Sequence, residues 1–263
     1  METTKLNETQ LAVKLENVNK SFGNIHAVKD LNLQIDAGTV FGFLGPNGSG
    51  KSTTMKMIMG LLKADSGKLS IYGIDASNEP WKVKKIVGYV PESPRLYEFL
   101  TGLEYLDFIA DVYGLPAETK KKRIEEYLGA FDLENRENEM ISGYSHGMKQ
   151  KIALIAALLH KPKLLILDEP LSGLDPKSAK IVKDLLHKLA GDGITTIMST
   201  HILEIADAVC DRIAIMYRGS KLAEGKPAEL RKEAKMPDST LEEIFLKLTG
   251  TSDIKEIVEA LGK

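Results

Sequence analysis

Gly45-Pro46-Asn47-Gly48-Ser49-Gly50-Lys51-Ser52 has the spacing G-x-x-x-x-G-K-[ST], and it lies between the apolar stretch Val40–Leu44 and a segment of helical character. Glycines let a backbone curl until successive N–H groups, and the positive end of the helix that follows, face one anion. The chemistry implied is phosphate binding. Lys51 is suited to charge on the β- and γ-phosphates of a nucleotide such as ATP, Ser52 to offering its hydroxyl to Mg²⁺, and Thr53 to a further phosphate contact. A glycine-rich turn with a solvent-facing lysine is the bland alternative, and both the spacing and the flanking elements argue against it.

Asp168 and Glu169 end the apolar run 164–167. A carboxylate at the C-terminal end of a buried strand in an α/β sheet faces the crevice where ligands bind. His201 follows another strand-like stretch in Ser199-Thr200-His201, and Ser145 opens a helical segment, where a hydroxyl and free backbone N–H groups suit a phosphate. A histidine met alone is more often a surface or core residue, so His201 draws its interest from its place after the two carboxylates.

The elements that must position these groups are legible in outline. Leu31, Leu33 and Ile35 alternate with polar neighbours as in a half-buried strand, and Val13, Leu15 and Val18 do so more weakly. A helix is expected from about residue 50 to 62. Leu103, Leu106, Ile109 and Tyr113, then Ile124, Leu128 and Phe131 after Pro116, have helical spacing and read as an inserted helical part. The run Lys120 to Arg123 within it reads as a solvated helix face. Helices near 148–159 and 178–189 alternate with strands at 164–167, 194–198 and 213–217, the last followed by a turn at Arg218-Gly219; alternation of this kind argues a parallel sheet. Ser239-Thr240-Leu241-Glu242-Glu243 contains capping-box spacing ahead of an apolar stripe of Leu241, Ile244, Phe245 and Leu248.

Composition narrows the class. The chain has 263 residues, is 43% hydrophobic and 27% charged, and carries a formal net charge of -2, which does not point to DNA or RNA as an obligatory partner. Cys210 is the single cysteine, so an intramolecular disulfide and multi-cysteine metal sites are excluded, and a core thiol is expected. The first ten residues hold no apolar signal segment, and the longest apolar run, 152–159, is far short of the roughly 20 residues that span a bilayer. The expectation is a cytoplasmic protein that needs another chain for any membrane path.

Leu164-Leu165-Ile166-Leu167-Asp168-Glu169-Pro170, preceded by Tyr144-Ser145-His146-Gly147-Met148-Lys149-Gln150 and followed by Ser172-Gly173-Leu174-Asp175, closely resembles the ABC ATPase family, over about residues 13 to 225. The resemblance implies an α/β fold: a P-loop NTPase core, with a RecA-like parallel sheet and flanking helices, an N-terminal antiparallel β-subdomain and an inserted α-helical subdomain. The ATPase domain would cover 11–235, with the helical signature part at about 100–160, and a short helical tail 236–263. It further implies that Asp168 acts on Mg²⁺ directly or through water, and that Glu169 orients and deprotonates the attacking water. His201 would contact the γ-phosphate. Ser145, His146, Gly147 and Met148 would bind the γ-phosphate of ATP on a second subunit's P-loop, with Asp175 coupling the two sites. The partners implied are an integral membrane permease and a second ATPase subunit, either another copy or a paralogue, with the protein held at the cytosolic face of the membrane.

The chain departs from the family pattern at Tyr144, His146 and Met148, where Leu-Ser-Gly-Gly-Gln is the common signature and Ser145 and Gly147 are retained, and at Glu92 and Phe22. His146 stands where a glycine is usual, so its backbone must avoid a glycine-only conformation. Glu92, in Gly88-Tyr89-Val90-Pro91-Glu92, replaces a glutamine and would still supply an oxygen as a metal or permease-coupling residue. Phe22 replaces a tyrosine that stacks on adenine and keeps the π-face; the alternative is a core phenylalanine. Glu92, Pro94 and the stretch 241–250 are similar to bacterial ABC-2 exporters. A soluble ABC ATPase acting on ribosomes or DNA is the alternative, and a catalytically silent regulatory module is the third reading.

Overall fold

The computed structural model describes residues 10–171, 176–236 and 239–249. The first strands, β1 (Leu11–Phe22) and β2 (Ile25–Asp36), form an antiparallel hairpin, and β1 pairs on its other side with β4 (Ser66–Ile71), which pairs with the short β5 (Ile74–Asp75). The antiparallel sheet therefore has the order β2-β1-β4-β5. Val13, Leu15 and Val18 are all buried, although Val18 breaks the period of two. The pairing shifts register between Leu15 and Val18, and Asn17 takes φ 49, so one extra residue returns Val18 to the inner face.

The second sheet has the order β10-β9-β3-β8-β7-β6, comprising β3 (Val40–Leu44), β6 (Val87–Val90), β7 (Leu164–Asp168), β8 (Thr195–Thr200), β9 (Arg212–Tyr217) and β10 (Ser220–Gly225). All neighbouring pairs are parallel except β9 with β10, which turn at Arg218 (φ 47) and Gly219 (φ 83) as the sequence suggests. Phe41, Phe43, Ile166 and Ile197 point into a core shared with the antiparallel sheet; Val40, Leu44, Leu165, Leu167 and Met198 point into a second core under the helices. Both faces of β3 and β7 are covered. That is why 164–167 is an unbroken apolar run rather than an alternating one.

The helices are α1 (Lys51–Ile58), α2 (Pro80–Ile86), α3 (Gly102–Val112), α4 (Ala117–Ala130), α5 (His146–Leu158), α6 (Pro176–Gly191), α7 (Leu203–Val209), α8 (Pro227–Glu233) and α9 (Leu241–Thr249). Helix α1 is shorter than the expected 50–62, because the chain leaves it after Met59 and reverses at Gly60 (φ +66). Thr101 and Glu104 form a capping box on α3, fixing where the helical part begins. The run 152–159 lies along α5 and is buried throughout, packed on β6. Lys120 bridges Asp107 and Asp111 at 2.7 and 2.8 Å, and Lys121 and Lys122 lie near Glu125 and Glu126 one turn on, as a solvated face should. Thr240 and Glu243 cap α9 reciprocally, at 3.0 and 3.3 Å, and Leu241 and Ile244 are buried beneath it. Helix α8, which the sequence reading passes over, starts at Pro227.

Cys210 is a buried free thiol against Gly42, where a Cβ would come within 2.7 Å of Sγ; burial raises its pKa to about 12. Among the described residues no helix is long and apolar enough to cross a membrane.

Candidate functional site

The loop between β3 and α1 is braced from both sides. Gly45 has φ +153, and a Cβ there would fall 2.2 Å from the Met216 carbonyl oxygen at the end of β9. Gly50, at φ +104, would place a Cβ 2.5 Å from the Ala27 oxygen on β2. Neither position admits a side chain, so the loop's curvature is set by strands of both sheets. The Gly219 N–H donates to the Ser49 carbonyl at 3.1 Å, tying the β9–β10 turn to the same loop. Helix α1 has Gly50 at its N-cap, without a side-chain cap and with no acid in its first turn, so its free N–H groups remain available to an anion.

Lys51 is buried, and its ammonium donates to the Gly45 and Pro46 carbonyls at 2.6 and 3.2 Å. Burial lowers its pKa, while the charges of Glu169, Asp168 and Glu92 oppose that shift. Those three carboxylates supply counter-charge that partly offsets the cost of burying the lysine. Thr53 sits part-buried on α1 with no hydrogen bond from its hydroxyl among the described residues.

The carboxylates are held by β8. Parallel pairing sets Asp168 opposite Ser199. The Ser199 hydroxyl donates to Asp168 Oδ1 and accepts from the Glu169 N–H at 3.1 Å. Asp168 Oδ1 in turn accepts from the Ser52 hydroxyl at 3.5 Å. Glu169 leaves the strand in the left-handed region, φ 50, a conformation that costs a glutamate of order 1 kcal/mol and fits a functional turn. Its side chain is 8% exposed, and Oε1 lies 3.0 Å from His201 Nδ1, while the His201 side chain is 55% exposed. One buried carboxylate thus has one imidazole partner facing solvent.

This set fits a magnesium ion bound together with a nucleotide. Ser52 and Asp168 offer two hard oxygens within 3.5 Å of each other, and among the described residues no group of three or more His, Cys, Asp or Glu could hold a metal. Mg²⁺ is usually held by one or two protein oxygens with the rest from phosphates and water.

The 28–172 segment, more than half the chain, matches the ABC transporter family model. The linearmycin resistance ATP-binding protein LnrL of Bacillus subtilis (strain 168) is 40% identical over 83% of this chain and 70% of its own length. The ABC-type transporter ATP-binding protein EcsA of the same organism is 36% identical over 84% of this chain and 90% of its own. The probable multidrug ABC transporter ATP-binding protein YbhF of Escherichia coli (strain K12) is 34% identical over 91% of this chain, which spans only 42% of YbhF. A solved ATP-binding subunit of an ABC transporter superposes with TM-score 0.85 at 32% identity, covering 90% of this chain and 99% of its own. A dimeric ATP-binding cassette in a post-hydrolysis state, bound to ADP and Pi, superposes with TM-score 0.74 at 32% identity, covering 81% and 98%. This chain belongs to the ABC transporter ATP-binding family. It is an ATP-hydrolysing cassette with the α/β architecture of that family, and ATP is its nucleotide.

The cassette gathers Gly45, Pro46, Asn47, Gly48, Ser49, Gly50, Lys51, Ser52, Asp168, Glu169 and His201 at the C-terminal ends of β3, β7 and β8 and in the loops that follow. The segment Ser145 to Met148 lies elsewhere, at the start of α5. Ser145 is its N-cap, accepting from the Met148 N–H at 3.3 Å, and no acid occupies the first turn. His146 begins the helix and is not among the residues with positive φ, so its backbone does avoid a glycine-only conformation. Glu92 is exposed in the loop after β6, and its charge is felt at Lys51. Phe22 is 50% exposed at the tip of the β1–β2 hairpin, with the Lys20 ammonium 5.4 Å from its ring, so the core alternative for this residue does not hold. Asp175 lies outside the described residues.

Sequence reasoning missed the role of Ser199. It quotes Ser199 only as a neighbour of His201, although a serine at the end of the strand beside an Asp-Glu strand end is the available signal. What it lacks is the register that puts Ser199 against Asp168.

Proposed function

We propose that this chain is the Mg²⁺-dependent ATPase subunit of an exporter whose membrane path belongs to a separate permease. The observation that carries the reading is the chain of contacts Ser52–Asp168–Ser199–Glu169–His201 beside a buried, carboxylate-compensated Lys51. Lys51 and the N–H groups of the loop and α1 bind the β- and γ-phosphates. Ser52 and Asp168 would hold Mg²⁺, which supplies charge neutralisation at the phosphate oxygens. Glu169, left-handed and buried, takes a proton from the attacking water, a contribution typically worth ~10²–10⁴-fold. His201 orients the Glu169 carboxylate through Nδ1 and turns its other nitrogen toward the γ-phosphate. Phe22 offers an exposed ring for the adenine, and Glu92 a further oxygen near the phosphates.

Ser145 to Met148 would complete a second copy's site. Ser145, His146 and the open first turn of α5 form a donor set for phosphate, and a head-to-tail pair brings it to the other copy's loop. The permease would sit in the groove of about 350 Å³ between the core and the helical part, lined by Val87, Tyr89, Pro91, Tyr105, Ile109 and Ala156 among others. That groove begins one residue before Glu92, so the loop after β6 links the seat to the nucleotide. The drug-resistance and multidrug names of its relatives favour export, and attachment to the cytosolic face of the membrane follows from the permease.

Purification of the tagged protein from gently solubilised native membranes, with mass spectrometry of its companions, tests the reading. A stoichiometric polytopic membrane protein is expected. Ribosomal or DNA-bound companions without one would replace the exporter reading with the soluble alternative.

A further inference from the structure

We propose that Phe245 of α9 is a positioning residue for hydrolysis: its ring walls the cavity beside His201 and the phosphate loop, and so keeps the imidazole on Glu169. The C-terminal helix is then part of the hydrolytic machinery.

The apolar stripe of α9 divides in the fold. Leu241 and Ile244 are buried in the core under the helices. Phe245, the next residue round the helix, is only partly buried and turns to the end of β3. With Pro46, Asn47, His201 and Leu203 among others it lines a cavity of about 330 Å³, so the loop, the imidazole and the phenyl ring face one space. The ring also meets Tyr217 edge to face, with centroids 6.5 Å apart. Tyr217 ends β9 directly after Met216, whose carbonyl oxygen leaves Gly45 no room for a Cβ. Phe245 is thus braced on the strand end that shapes the phosphate loop.

Helix α9 is held by contacts that do not involve this ring. Arg231 of α8 pairs with Asp207 of α7 and donates through Nε to the Ser239 carbonyl at 3.0 Å, and Lys247 donates to the Ala234 carbonyl at 2.6 Å. The backbone around His201 is also fixed: β8 ends at Thr200, α7 starts at Leu203, and the Ile202 N–H donates to Thr200 Oγ1 at 3.0 Å. What keeps its freedom is the His201 side chain, 55% exposed and held at Nδ1 by Glu169 at 3.0 Å. A side chain with one such contact beside open space has other rotamers to visit. An aromatic wall on the cavity side removes some of them. Placement matters here because a shift of about 1 Å in a group that orients the reaction can cost on the order of 10²-fold in rate.

The role given to Phe245 rests on the reading of His201 as the residue that orients Glu169. The test is a double-mutant cycle on the full chain, read by steady-state ATP hydrolysis, with ring-nitrogen NMR of the histidine-labelled protein beside it. Phe245→Ala should lower kcat about tenfold and leave the dissociation constant of ATP within about twofold of the parent's. Leu248→Ala, on the same helix at a residue 38% exposed, should keep the parent rate. On a His201→Ala background Phe245→Ala should cost nothing further, because a residue that acts through the imidazole is silent without it. The Glu169 contact selects the Nδ1–H tautomer of a neutral His201, so at about pH 8.5 that tautomer should dominate in the parent and recede in Phe245→Ala. Should the alanine variant lose its fold, Phe245→Leu carries the same comparisons with a smaller fall in kcat. Losses that add on the His201→Ala background, an unchanged tautomer beside slower hydrolysis, or parent-like turnover without the ring would overturn the proposal and leave His201 its role. Parent-like hydrolysis by His201→Ala would overturn both together.

Discussion

The two regions of this cassette that are suited to phosphate differ in how much of their surroundings they supply. At the ends of β3, β7 and β8 the chain provides loop, lysine, carboxylates and histidine: Lys51 donates to the loop's carbonyls, Ser199 joins Asp168 to the Glu169 N–H, and Glu169 meets His201. At the start of α5 it provides donors alone: Ser145 and His146 are exposed, and the Ser145 hydroxyl caps its own helix. A site wired internally can be ready before its substrate arrives. On the proposed reading, a helix start that offers donors alone becomes a catalytic element when another copy's surface is brought to it, which would make hydrolysis depend on pairing.

Glu169→Gln should produce the largest effect, because an amide cannot accept the water's proton. A fall in turnover of about 10²–10⁴-fold is expected, with ATP affinity by calorimetry nearly unchanged. Near wild-type hydrolysis would remove Glu169 from the base role and leave the first region a binding site only. Lys51→Ala acts one step earlier. It removes a buried charge-assisted donor, for which a loss of ~1.5–3 kcal/mol is usual, so the dissociation constant of ATP should rise roughly 10–100-fold.

Complementation by mixing sharpens the contrast itself. Ser145→Ala should leave ATP binding to the isolated chain intact and depress hydrolysis, while Lys51→Ala fails in binding. If the α5 start serves another copy's loop, a mixture of the two inactive proteins contains pairs with one intact composite site, and hydrolysis returns. A mixture as inactive as its components would mean that each chain works on its own nucleotide.

How much of this was legible in the sequence follows the same division. Residues 45 to 52 declare themselves because the conformation they need excludes side chains at Gly45 and Gly50, leaving a fixed spacing in the text. The strand 164–167 is equally plain, since burial on both faces writes a continuous apolar run. Val18 was harder, as the bulge at Asn17 breaks the alternation that a reader follows. Ser199 was invisible as a functional residue because its importance lies in strand register, a relation between segments 31 residues apart. Phe22 could not be assigned from its type alone; exposure at a hairpin tip rules out the core reading.

Ser199→Ala tests whether the wiring of the first region matters as well as its residues. The change leaves the Glu169 N–H with only the longer contact to the Ser199 carbonyl at 3.3 Å and strips Asp168 of a donor. A buried group deprived of its partner costs about 1–3 kcal/mol, so a drop in urea midpoint is expected. A purely structural serine would stop there. A positioning serine would also lower kcat, by roughly tenfold, with little change in KM for ATP, and Ser199→Thr would recover much of it.

The smallest effect concerns His160, which joins the helical part to the core. Its ring stacks on Tyr113 with centroids 3.8 Å apart, Nε2 lies 3.2 Å from the Val87 carbonyl, and Nδ1 is buried with no hydrogen-bond partner among the described residues. Burial is the main cause that lowers its pKa, with the nearby Arg123 charge adding to it, while the Val87 carbonyl opposes. The neutral form, with Nε2–H donating to Val87, is therefore the folded one. As pH falls below the ordinary histidine range, the unfolded chain takes up a proton that the folded chain refuses, so stability present at neutral pH is lost toward acid. His160→Phe keeps the stack and removes the titration. Its urea midpoint should be lower than the parent's at pH 7, and the difference should narrow as the parent loses stability below about pH 6.5. Parallel pH profiles for the two proteins would show that this histidine takes up its proton as readily folded as unfolded, and that the contact between the helical part and the core does not depend on its charge.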